Sequence, residues 1–447
     1  AFETVLLFLV ASTSASATTG AADPALAAMV TLALMASGLA MGLHHFSQRN
    51  GTTGLLLRAV TAFGVLAPIG LLIVHATVPG TWFLGPVVAM TASVALVETV
   101  LTRNVLVHLI NENLFKRRVL VLGAGREAKS ITTRMRRRND RRGFILLGFV
   151  PDGASSLIKD SHETPVLQLE ERSLLDLCHQ LEVDEIVIAW DDRRSGGTSQ
   201  RMPLEALLNC KMAGVEVTEL PAFFEREAGR IDIDVLRPSW LLFSSGFSQP
   251  GKRSAKRVFD LIASLSLLAL AWPVMLATAI AIKLEDGIRG PVLYRQRRVG
   301  QNGGTYEVLK FRSMRTDAEK FGEAVWAEAD DPRITRVGHC IRRVRIDELP
   351  QLFNILGGSM AFVGPRPERP VFVERLAEQI PFYAERHRVK PGLTGWAQIN
   401  YPYGACEIDA RRKLEYDLFY VKNYSLLLDL VILIRTVEVV LMARGAR

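Results

Sequence analysis

The run VFDLIASLSLLALAWPVMLATAIAI, residues 258–282, is almost entirely apolar and has a proline, Pro273, near its middle. Its length is sufficient to cross a bilayer, which takes about 20 apolar residues in a helix. Basic residues crowd both of its ends, and a crossing helix would place one cluster outside, against the charge asymmetry of membrane proteins. Pro273 favours a kink that returns the chain to its starting face. We predict a re-entrant helix over about 257–284; a spanning helix with a tolerated proline is the alternative.

Four further apolar stretches lie upstream, at residues 2–17, 25–43, 55–78 and 82–101. The last three approach the length of a membrane span, and we predict a four-helix transmembrane region over residues 1–110. The first stretch could instead be a cleaved signal, because Ala15-Ser16-Ala17 matches a signal-peptidase site. Lys and Arg are concentrated near residue 49 and after Arg103, which orients the rest of the chain to the cytoplasm.

The segment RVLVLGAGREA, residues 118–128, reads as a strand that runs into a glycine-containing turn and a helix. Later β-like runs, FILLGFV, DEIVIAW and GVEVTEL, complete the pattern of a Rossmann-like domain, predicted over residues 111–225. An acidic residue that would bind a ribose fits poorly, since Asp140 lies in a basic run and Asp152 comes late. A structural or regulatory module and a nucleotide-binding domain both remain open. Residues 226–250 are predicted to be a linker.

Composition narrows the partners of the chain. It has 447 residues, a formal net charge of +8 and 49% hydrophobic residues. The positive charge favours anionic partners: nucleic acid, acidic lipid head groups or phosphorylated small molecules. The four cysteines are far apart without a CxxC pair, so the sequence suggests neither a disulfide framework nor a zinc site.

Six motifs beyond residue 290 form a combined signature. They are RQRRVG (295–300), YEVLKFRSMR (306–315), DDPRITRVG (330–338), RIDELPQLFNIL (345–356), FVGPRPERP (362–370) and KPGLTGWAQI (390–399). Together they resemble the bacterial sugar transferases, in particular the large monotopic phosphoglycosyl transferases. The segments at 323–338 and 398–405 most resemble the branch linked to exosortase-associated exopolysaccharide loci. The implied fold is an α-helical membrane bundle, an α/β Rossmann-like domain and a mainly α (α+β) catalytic domain over residues 251–447.

The resemblance implies transfer of a hexose 1-phosphate from a UDP-sugar to polyprenyl phosphate, with release of UMP. Asp347 would be the nucleophile that carries the sugar phosphate, and Glu348 would hold Mg²⁺ with it. Phosphorylated substrates need Lys and Arg to offset their charge, and Mg²⁺ is usually held by one or two carboxylates with phosphate oxygens. The location implied is the bacterial inner membrane, multi-pass, with a cytoplasmic catalytic domain and no nucleic acid partner; a homo-oligomer stays open.

By position in the family motifs, further residues are predicted to bind substrate. They are Lys310, Arg342, Gly364, Pro365, Arg366, Pro367, Asp417 and Asp429. The alternative for each basic residue is solvated surface charge. For an isolated Asp-Glu pair before Pro350, ordinary helix-start chemistry would be the simpler interpretation.

Two other functions are considered. A membrane-tethered NAD-dependent sugar nucleotide dehydratase also combines four helices with a Rossmann domain, and Tyr306 and Lys310 satisfy its Tyr-x-x-x-Lys pattern. That pair lies on a helix in such enzymes, whereas residues 305–311 alternate like a strand. A non-catalytic scaffold for polysaccharide assembly is the third hypothesis.

Overall fold

The protein has a mixed helical and α/β fold. A computed structural model describes residues 8–9, 11–12, 24–40, 59–68, 70–71, 85–109, 116–135, 143–151, 157–158, 165–169, 173–190, 202–236, 250–286, 290–315, 333–401 and 406–441. The chain divides into two compact units. An α/β unit comprises residues 47–51 and 99–242, and a helix-rich unit comprises residues 1–46, 52–98 and 243–447.

Two long apolar helices lie in the N-terminal region. Helix α1 spans Pro24–Ala40 and α2 spans Gly85–Leu109, with a short π-helical segment at Ala62–Leu66 between them. They coincide with the second and fourth predicted apolar stretches. Most of the first stretch, much of the third, and the loop around residue 49 lie outside the described residues. The four-helix region therefore stays a prediction.

The α/β unit is built on a four-stranded parallel sheet in the order β2-β1-β3-β4. Its elements are β1 (Arg117–Leu122), α3 (Arg126–Arg134), β2 (Phe144–Val150), α4 (Leu174–Gln180), β3 (Glu185–Ile188), α5 (Leu204–Met212), β4 (Glu216–Glu219) and α6 (Leu220–Ala228). All four predicted strands are present. Strand β1 has buried apolar side chains on both faces, and each face contributes to a separate core cluster. Burial on both faces is typical of parallel sheets.

The turn after β1 depends on a glycine. Gly123 has a φ of +123°, and a Cβ there would lie 2.1 Å from the Ala189 carbonyl oxygen. The predicted acidic candidates, Asp140 and Asp152, lie outside the described residues. Dinucleotide binding by this unit therefore stays a prediction.

The α/β unit extends beyond its predicted boundary at residue 225. Helix α6 continues to Ala228, and Ile231 and Ile233 after it are buried. Asp232 is also buried and forms an ion pair with Arg134 of α3. The first part of the predicted linker is thus packed, because Asp232 has an ionic partner on α3 and Val235 joins the core cluster that contains Val119 and Val121 of β1.

The helix-rich unit contains a helical domain with two short β pairs. Its elements are α7 (Pro250–Asp286), β5 (Leu293–Val299), β6 (Thr305–Phe311), α8 (Arg336–Arg343), α9 (Gln351–Gly357), β7 (Ala361–Val363), α10 (Pro370–Gln379), β8 (Gly392–Thr394), α11 (Trp396–Asn400), α12 (Glu407–Asn423) and α13 (Leu426–Leu441). Strands β5 and β6 form an antiparallel hairpin, and β7 pairs in parallel with β8. Helix α13 packs on β7, β8 and α1.

Helix α7 is continuous from Pro250 to Asp286, with Pro273 inside it. Pro273 lacks an N–H, so one helical hydrogen bond is missing, but the helix resumes beyond it and does not stop. Among the described residues, α7 is the one helix that is long and apolar enough to cross a membrane, and the apolar span is Arg253–Glu285. Large apolar side chains are exposed along it, including Leu270 at 77% and Trp272 at 58%. An exposed apolar surface of this extent is typical of membrane contact.

Both ends of α7 bind the domain that follows. Near its start, Arg257 donates to the carbonyl oxygens of Ile355 and Leu356 at the end of α9, at 2.6 and 2.7 Å. Near its end, Glu285 accepts hydrogen bonds from the N–H groups of Arg336 and Val337 at the start of α8. Helix α7 is therefore held at two places, with its apolar middle segment between them.

Candidate active site

The Asp347-Glu348 dyad lies in a 3₁₀ turn, Ile346–Glu348, between α8 and α9. Both side chains are buried. The N-cap position of α9 is Pro350, and no side chain caps that helix. Asp347 is therefore not a helix cap, which removes the simplest structural explanation of the pair.

Three cationic side chains converge on one oxygen of Glu348. Lys310 Nζ lies 2.9 Å and Arg366 Nη2 3.0 Å from Glu348 Oε1. Arg345 Nη1 is 3.8 Å from the same oxygen. Burial acts to raise the pKa of Glu348, but these positive charges outweigh it and hold the pKa well below its usual range. Glu348 is thus ionised at neutral pH. The three cationic groups lie close together because they contact the same carboxylate oxygen.

Asp347 has different surroundings. Its Oδ1 is buried and has no hydrogen-bond partner among the described residues. Burial and the neighbouring charge of Glu348 raise the pKa of Asp347, while Lys310, Arg345 and Arg342 act in the opposite direction. An unpartnered carboxylate oxygen in a cationic environment is suited to attack an electrophile that brings its own negative charge.

The predicted basic residues surround this dyad. Lys310 projects from β6, whose strand conformation confirms the alternation seen in the sequence. Arg342 lies in the last turn of α8 and contributes to the electrostatic field at Asp347. With Arg345 and Arg366, four cations surround two carboxylates. The excess of positive charge marks a site for an anionic ligand.

The loop of residues 364–367, Gly-Pro-Arg-Pro, which we call the GPRP loop, presents Arg366 to Glu348. Nearly every carbonyl oxygen from Val363 to Glu368 accepts a hydrogen bond. The donors are Lys256 Nζ and Tyr420 OH to Val363, Gly392 N to Pro365, Arg386 Nη2 to Arg366, Arg298 Nη1 to Pro367 and Val299 N to Glu368. A side chain at Gly364 would place its Cβ 2.3 Å from the Lys390 carbonyl oxygen. The loop backbone is therefore fixed from many sides.

Asp417 and Asp429 lie in buried ion pairs rather than on the dyad. Asp417 Oδ2 is 2.7 Å from Arg386 Nη2, and burial raises the pKa of Asp417 to about 6. Asp429 Oδ2 is 2.5 Å from Lys256 Nζ, and its Oδ1 is 2.7 Å from Tyr420 OH. Arg386 also donates to the Arg366 carbonyl oxygen in the GPRP loop, and Lys256 donates to the Val363 carbonyl oxygen directly before it. Both acids thus connect to the site through other residues.

The two carboxylates of the dyad fit a magnesium ion whose remaining ligands are phosphate oxygens of the substrate and water. Among the described residues no group of three or more His, Cys, Asp and Glu could form a protein-only cage. Mg²⁺ often uses one or two carboxylates together with phosphate oxygens and water. The buried, unpartnered Oδ1 of Asp347 beside Glu348 could supply such ligands.

Several residues of the site were absent from the sequence-based set: Arg345, Arg298, Arg386, Lys256 and Tyr420. Arg298 had a detectable signal, because alternation along β5 puts it on the same face as Tyr294 and Gln296. Arg345 belongs to the dyad motif itself. Arg386 and Lys256 lack a local signal, since they meet their partners across long stretches of chain.

The part of the chain that holds this site matches a known protein family. The family model described as bacterial sugar transferase matches residues 251–443. All the residues of the site lie within that range. The match stops short of the α/β unit and the N-terminal helices.

Three curated relatives match longer parts of the chain. "UDP-N-acetylgalactosamine-undecaprenyl-phosphate N-acetylgalactosaminephosphotransferase" of Aeromonas hydrophila is 43% identical over 54% of this chain and 56% of its own length. "Undecaprenyl-phosphate glucose phosphotransferase" of Komagataeibacter xylinus is 36% identical over 74% and 60%. "UDP-glucose:undecaprenyl-phosphate glucose-1-phosphate transferase" of Xanthomonas campestris pv. campestris is 31% identical over 80% and 72%. The chain thus spans less than two thirds of the first two relatives.

Proposed function

Because this chain belongs to the bacterial sugar transferase family, we propose that it transfers a hexose 1-phosphate from a UDP-sugar to undecaprenyl phosphate. The relatives named above carry this type of reaction in their names. The observation that carries the proposal is the dyad itself. Asp347 keeps a buried carboxylate oxygen without a partner, next to a glutamate that gathers three cations.

Two of these cations, Lys310 and Arg366, bind the diphosphate of the donor. Lys310 and Arg366 both contact Glu348, and their side chains remain 21% and 28% exposed. A guanidinium or ammonium group that binds a carboxylate on one side can donate to a phosphate on the other. Glu348 therefore aligns these donors, and the incoming phosphates replace solvent around them.

Asp347 performs the first transfer. Its carboxylate oxygen attacks the phosphorus that carries the sugar, and a new O–P bond forms. The bond from this phosphorus to the bridging oxygen breaks, and UMP leaves with the electron pair. The product is a sugar phosphate bound to the Asp347 carboxyl group as an acyl phosphate (a mixed anhydride), with the C1–O bond of the sugar intact.

The lipid acceptor completes the reaction. A phosphate oxygen of undecaprenyl phosphate attacks the same phosphorus, and the Asp347–phosphorus bond breaks. The carboxylate is regenerated, and the lipid leaves as undecaprenyl diphosphate sugar. Arg366 and Lys310 offset the charge that develops on the phosphoryl oxygens in both steps.

Magnesium is the proposed cofactor, held by Asp347 and Glu348. When bound, it would neutralise charge on the phosphates of the donor. Arg342 adds positive charge near Asp347, and the glycine and prolines of the GPRP loop hold Arg366 in place. Asp417 and Asp429 support binding through Arg386 and Lys256.

A membrane location follows from the acceptor and from α7. We infer that α7 inserts its apolar middle segment and returns to the cytoplasmic face, because both of its ends bind the same domain. The catalytic domain, residues 251–447, would then lie at the head groups of the inner membrane, where a lipid phosphate is reached. Multi-pass insertion of residues 1–110 and a homo-oligomeric state belong to the same proposal.

UMP release tests the proposed function. Detergent-solubilised protein is incubated with Mg²⁺, undecaprenyl phosphate and a panel of UDP-glucose, UDP-galactose and UDP-N-acetylgalactosamine. UMP release from one or two donors is expected, and Asp347→Asn should abolish it. The matched control Glu374→Gln, an exposed position on α10, should behave as wild type. No UMP from any donor with folded protein would contradict the proposal and favour the scaffold hypothesis.

The dehydratase hypothesis loses its support. Tyr306 and Lys310 lie on strand β6, not on a helix, and Lys310 is engaged by Glu348.

A further inference from the structure

Arg345, which directly precedes the dyad turn, has a left-handed backbone conformation that is uncommon for a residue with a side chain. Its φ and ψ angles are 58° and 19°. It follows α8 and its C-cap residue Val344, and its N–H donates to the Arg342 carbonyl oxygen. Glycine is the usual residue at this position after a helix, because it has no Cβ to clash. The chain therefore has a long cationic side chain at a position where the backbone conformation favours glycine.

The side chain of Arg345 extends to the dyad. Its Nη1 is 3.8 Å from Glu348 Oε1, the oxygen that Lys310 and Arg366 also contact. The Arg345 side chain is 36% exposed, whereas Glu348 is 10% exposed beneath it. The Arg345 side chain is thus the more exposed partner of a contact with a buried carboxylate, so part of it is accessible to a ligand.

We propose that Arg345 binds the diphosphate of the UDP-sugar, as a third cation beside Lys310 and Arg366. The left-handed turn at residue 345 directs its guanidinium toward Glu348 and the entering phosphates. A planar guanidinium can form two parallel hydrogen bonds to a phosphate, which an ammonium group cannot. This inference rests on the proposed function, and it assigns substrate contact to a residue outside the set predicted from the sequence.

A purely structural role for Arg345 makes the opposite prediction. If residue 345 only forms the turn, glycine should serve as well or better, because it adopts the left-handed conformation without strain. If the guanidinium binds phosphate, glycine should improve or preserve stability and still impair catalysis. Substitution by glycine therefore separates the backbone from the side chain.

The experiment compares Arg345→Gly, Arg345→Asn and Arg345→Lys in the full chain. Asn also tolerates the left-handed region, and Lys keeps the charge but not the fork. We expect Arg345→Gly to melt at or above the wild-type temperature. Its kcat/KM for the UDP-sugar should fall about 10- to 100-fold, the effect of one charged hydrogen bond. Arg345→Lys should recover part of that loss, while Arg345→Asn should resemble the glycine variant.

Glu182→Gly provides the matched control. Glu182 is an exposed residue of the α/β unit with a φ of 47°, so glycine relieves the same kind of backbone strain there. Its melting temperature should rise or stay the same, with kcat/KM unchanged. Wild-type kcat/KM in Arg345→Gly would overturn the proposal, as would an activity loss accompanied by a lower melting temperature in both Arg345→Gly and Arg345→Asn.

UDP binding distinguishes a failure here from a failure of the proposed function. Calorimetry with UDP, which carries the diphosphate but no sugar, needs no turnover. Weaker UDP binding by Arg345→Gly, about tenfold or more, would support the phosphate contact even if wild type released no UMP. Equal UDP affinity in both proteins, or no UDP binding by either, would overturn the assignment of Arg345 whatever the turnover.

Discussion

Asp347 and Glu348 are neighbours in the chain, yet their carboxylates have opposite surroundings. The negative charge of Glu348 is balanced by Lys310, Arg345 and Arg366, whereas Asp347 Oδ1 has no hydrogen-bond partner among the described residues. Burial and the charge of Glu348 make ionised Asp347 unfavourable in the folded protein. This difference fits one residue that aligns cations and another that reacts.

Replacing Asp347 by Asn should abolish turnover without lowering stability. The raised pKa of Asp347 means that its ionised form destabilises the fold at neutral pH, and a neutral amide removes that penalty. The melting temperature of Asp347→Asn should therefore equal or exceed that of wild type. A markedly lower melting temperature would indicate that Asp347 is a structural residue.

The midpoint of the acid limb in the pH profile of kcat/KM should lie above the pKa of an ordinary aspartate, which is about 3.9. Asp347 must be ionised to attack, so kcat/KM rises as the pH passes upward through its raised pKa. Lys310 lowers that pKa, and Lys310→Gln should therefore move the acid limb of the residual activity to higher pH. An acid limb that stays in place would contradict the assignment to Asp347.

Residue types in the motifs could be predicted from the sequence, but their partners could not. The strand that presents Lys310 was predictable, because residues 305–311 alternate. By contrast, Lys256 and Asp429 are 173 positions apart, and no local pattern relates them. The position of the Arg345 side chain could not be predicted for another reason: a left-handed backbone at a non-glycine residue leaves no mark in the sequence.

At the scale of elements, the carbonyl oxygens of the GPRP loop accept hydrogen bonds from β5, β8 and Arg386, and α7 and α12 donate to Val363 directly before the loop. Arg386 is central to this arrangement, since one guanidinium contacts the Arg366 carbonyl oxygen and Asp417. The Arg386 side chain is 6% exposed, and Asp417 is 2% exposed. A buried ion pair of this kind holds its geometry only while both partners are present.

Removing either partner of this pair should destabilise the protein strongly. Arg386→Met or Asp417→Asn leaves an uncompensated buried group, which costs about 3–5 kcal/mol of unfolding free energy for a buried pair. The double variant Arg386→Met, Asp417→Leu should recover much of that loss, because no charge remains buried. Denaturant unfolding of the three variants measures these values, and a double variant worse than both single ones would contradict the account.

Helix α7 tests the proposed membrane topology. Single cysteines at Ser254 and Leu284, both exposed, are introduced into a chain whose exposed Cys340 and Cys406 are replaced by serine. A membrane-impermeant maleimide should label both positions from the cytoplasmic side and neither from the other side. Labelling from opposite sides would identify α7 as a spanning helix.

The sequence predicted α7 as an apolar element, but not its continuity. Pro273 suggested a break between two helices, whereas the helix runs through it. A single proline removes only one hydrogen bond, and a long helix retains many others on both sides. Within the predicted linker at 226–250, Asp232 and Ile233 are buried, and the partner of Asp232, Arg134, lies about 100 positions away, where no local sequence pattern indicates it.

For the whole molecule, the proposed chemistry and the family match both lie in the last 200 residues or so. The family model covers residues 251–443, which include α7, the dyad, the GPRP loop and α13. The α/β unit has its own sheet and its own two-sided core. Strands β1 and β3 were predictable because they are largely buried and read as nearly continuous apolar runs, whereas the edge strand β4, Glu216–Glu219, has mostly polar residues. Dinucleotide binding by this unit stays a prediction, because Asp140 and Asp152 fit the acidic position of the motif poorly and lie outside the described residues.

The central claim is that Asp347 carries the sugar phosphate between donor and lipid. The direct measurement is the intact mass of the protein after brief incubation with the UDP-sugar it uses and Mg²⁺, without any lipid acceptor. Wild-type protein should gain the mass of one hexose phosphate and release about one UMP per protein, and it should lose that mass when undecaprenyl phosphate is added. Asp347→Asn should show neither. UMP that appears only after the lipid is added, with no mass increase before it, would contradict the claim.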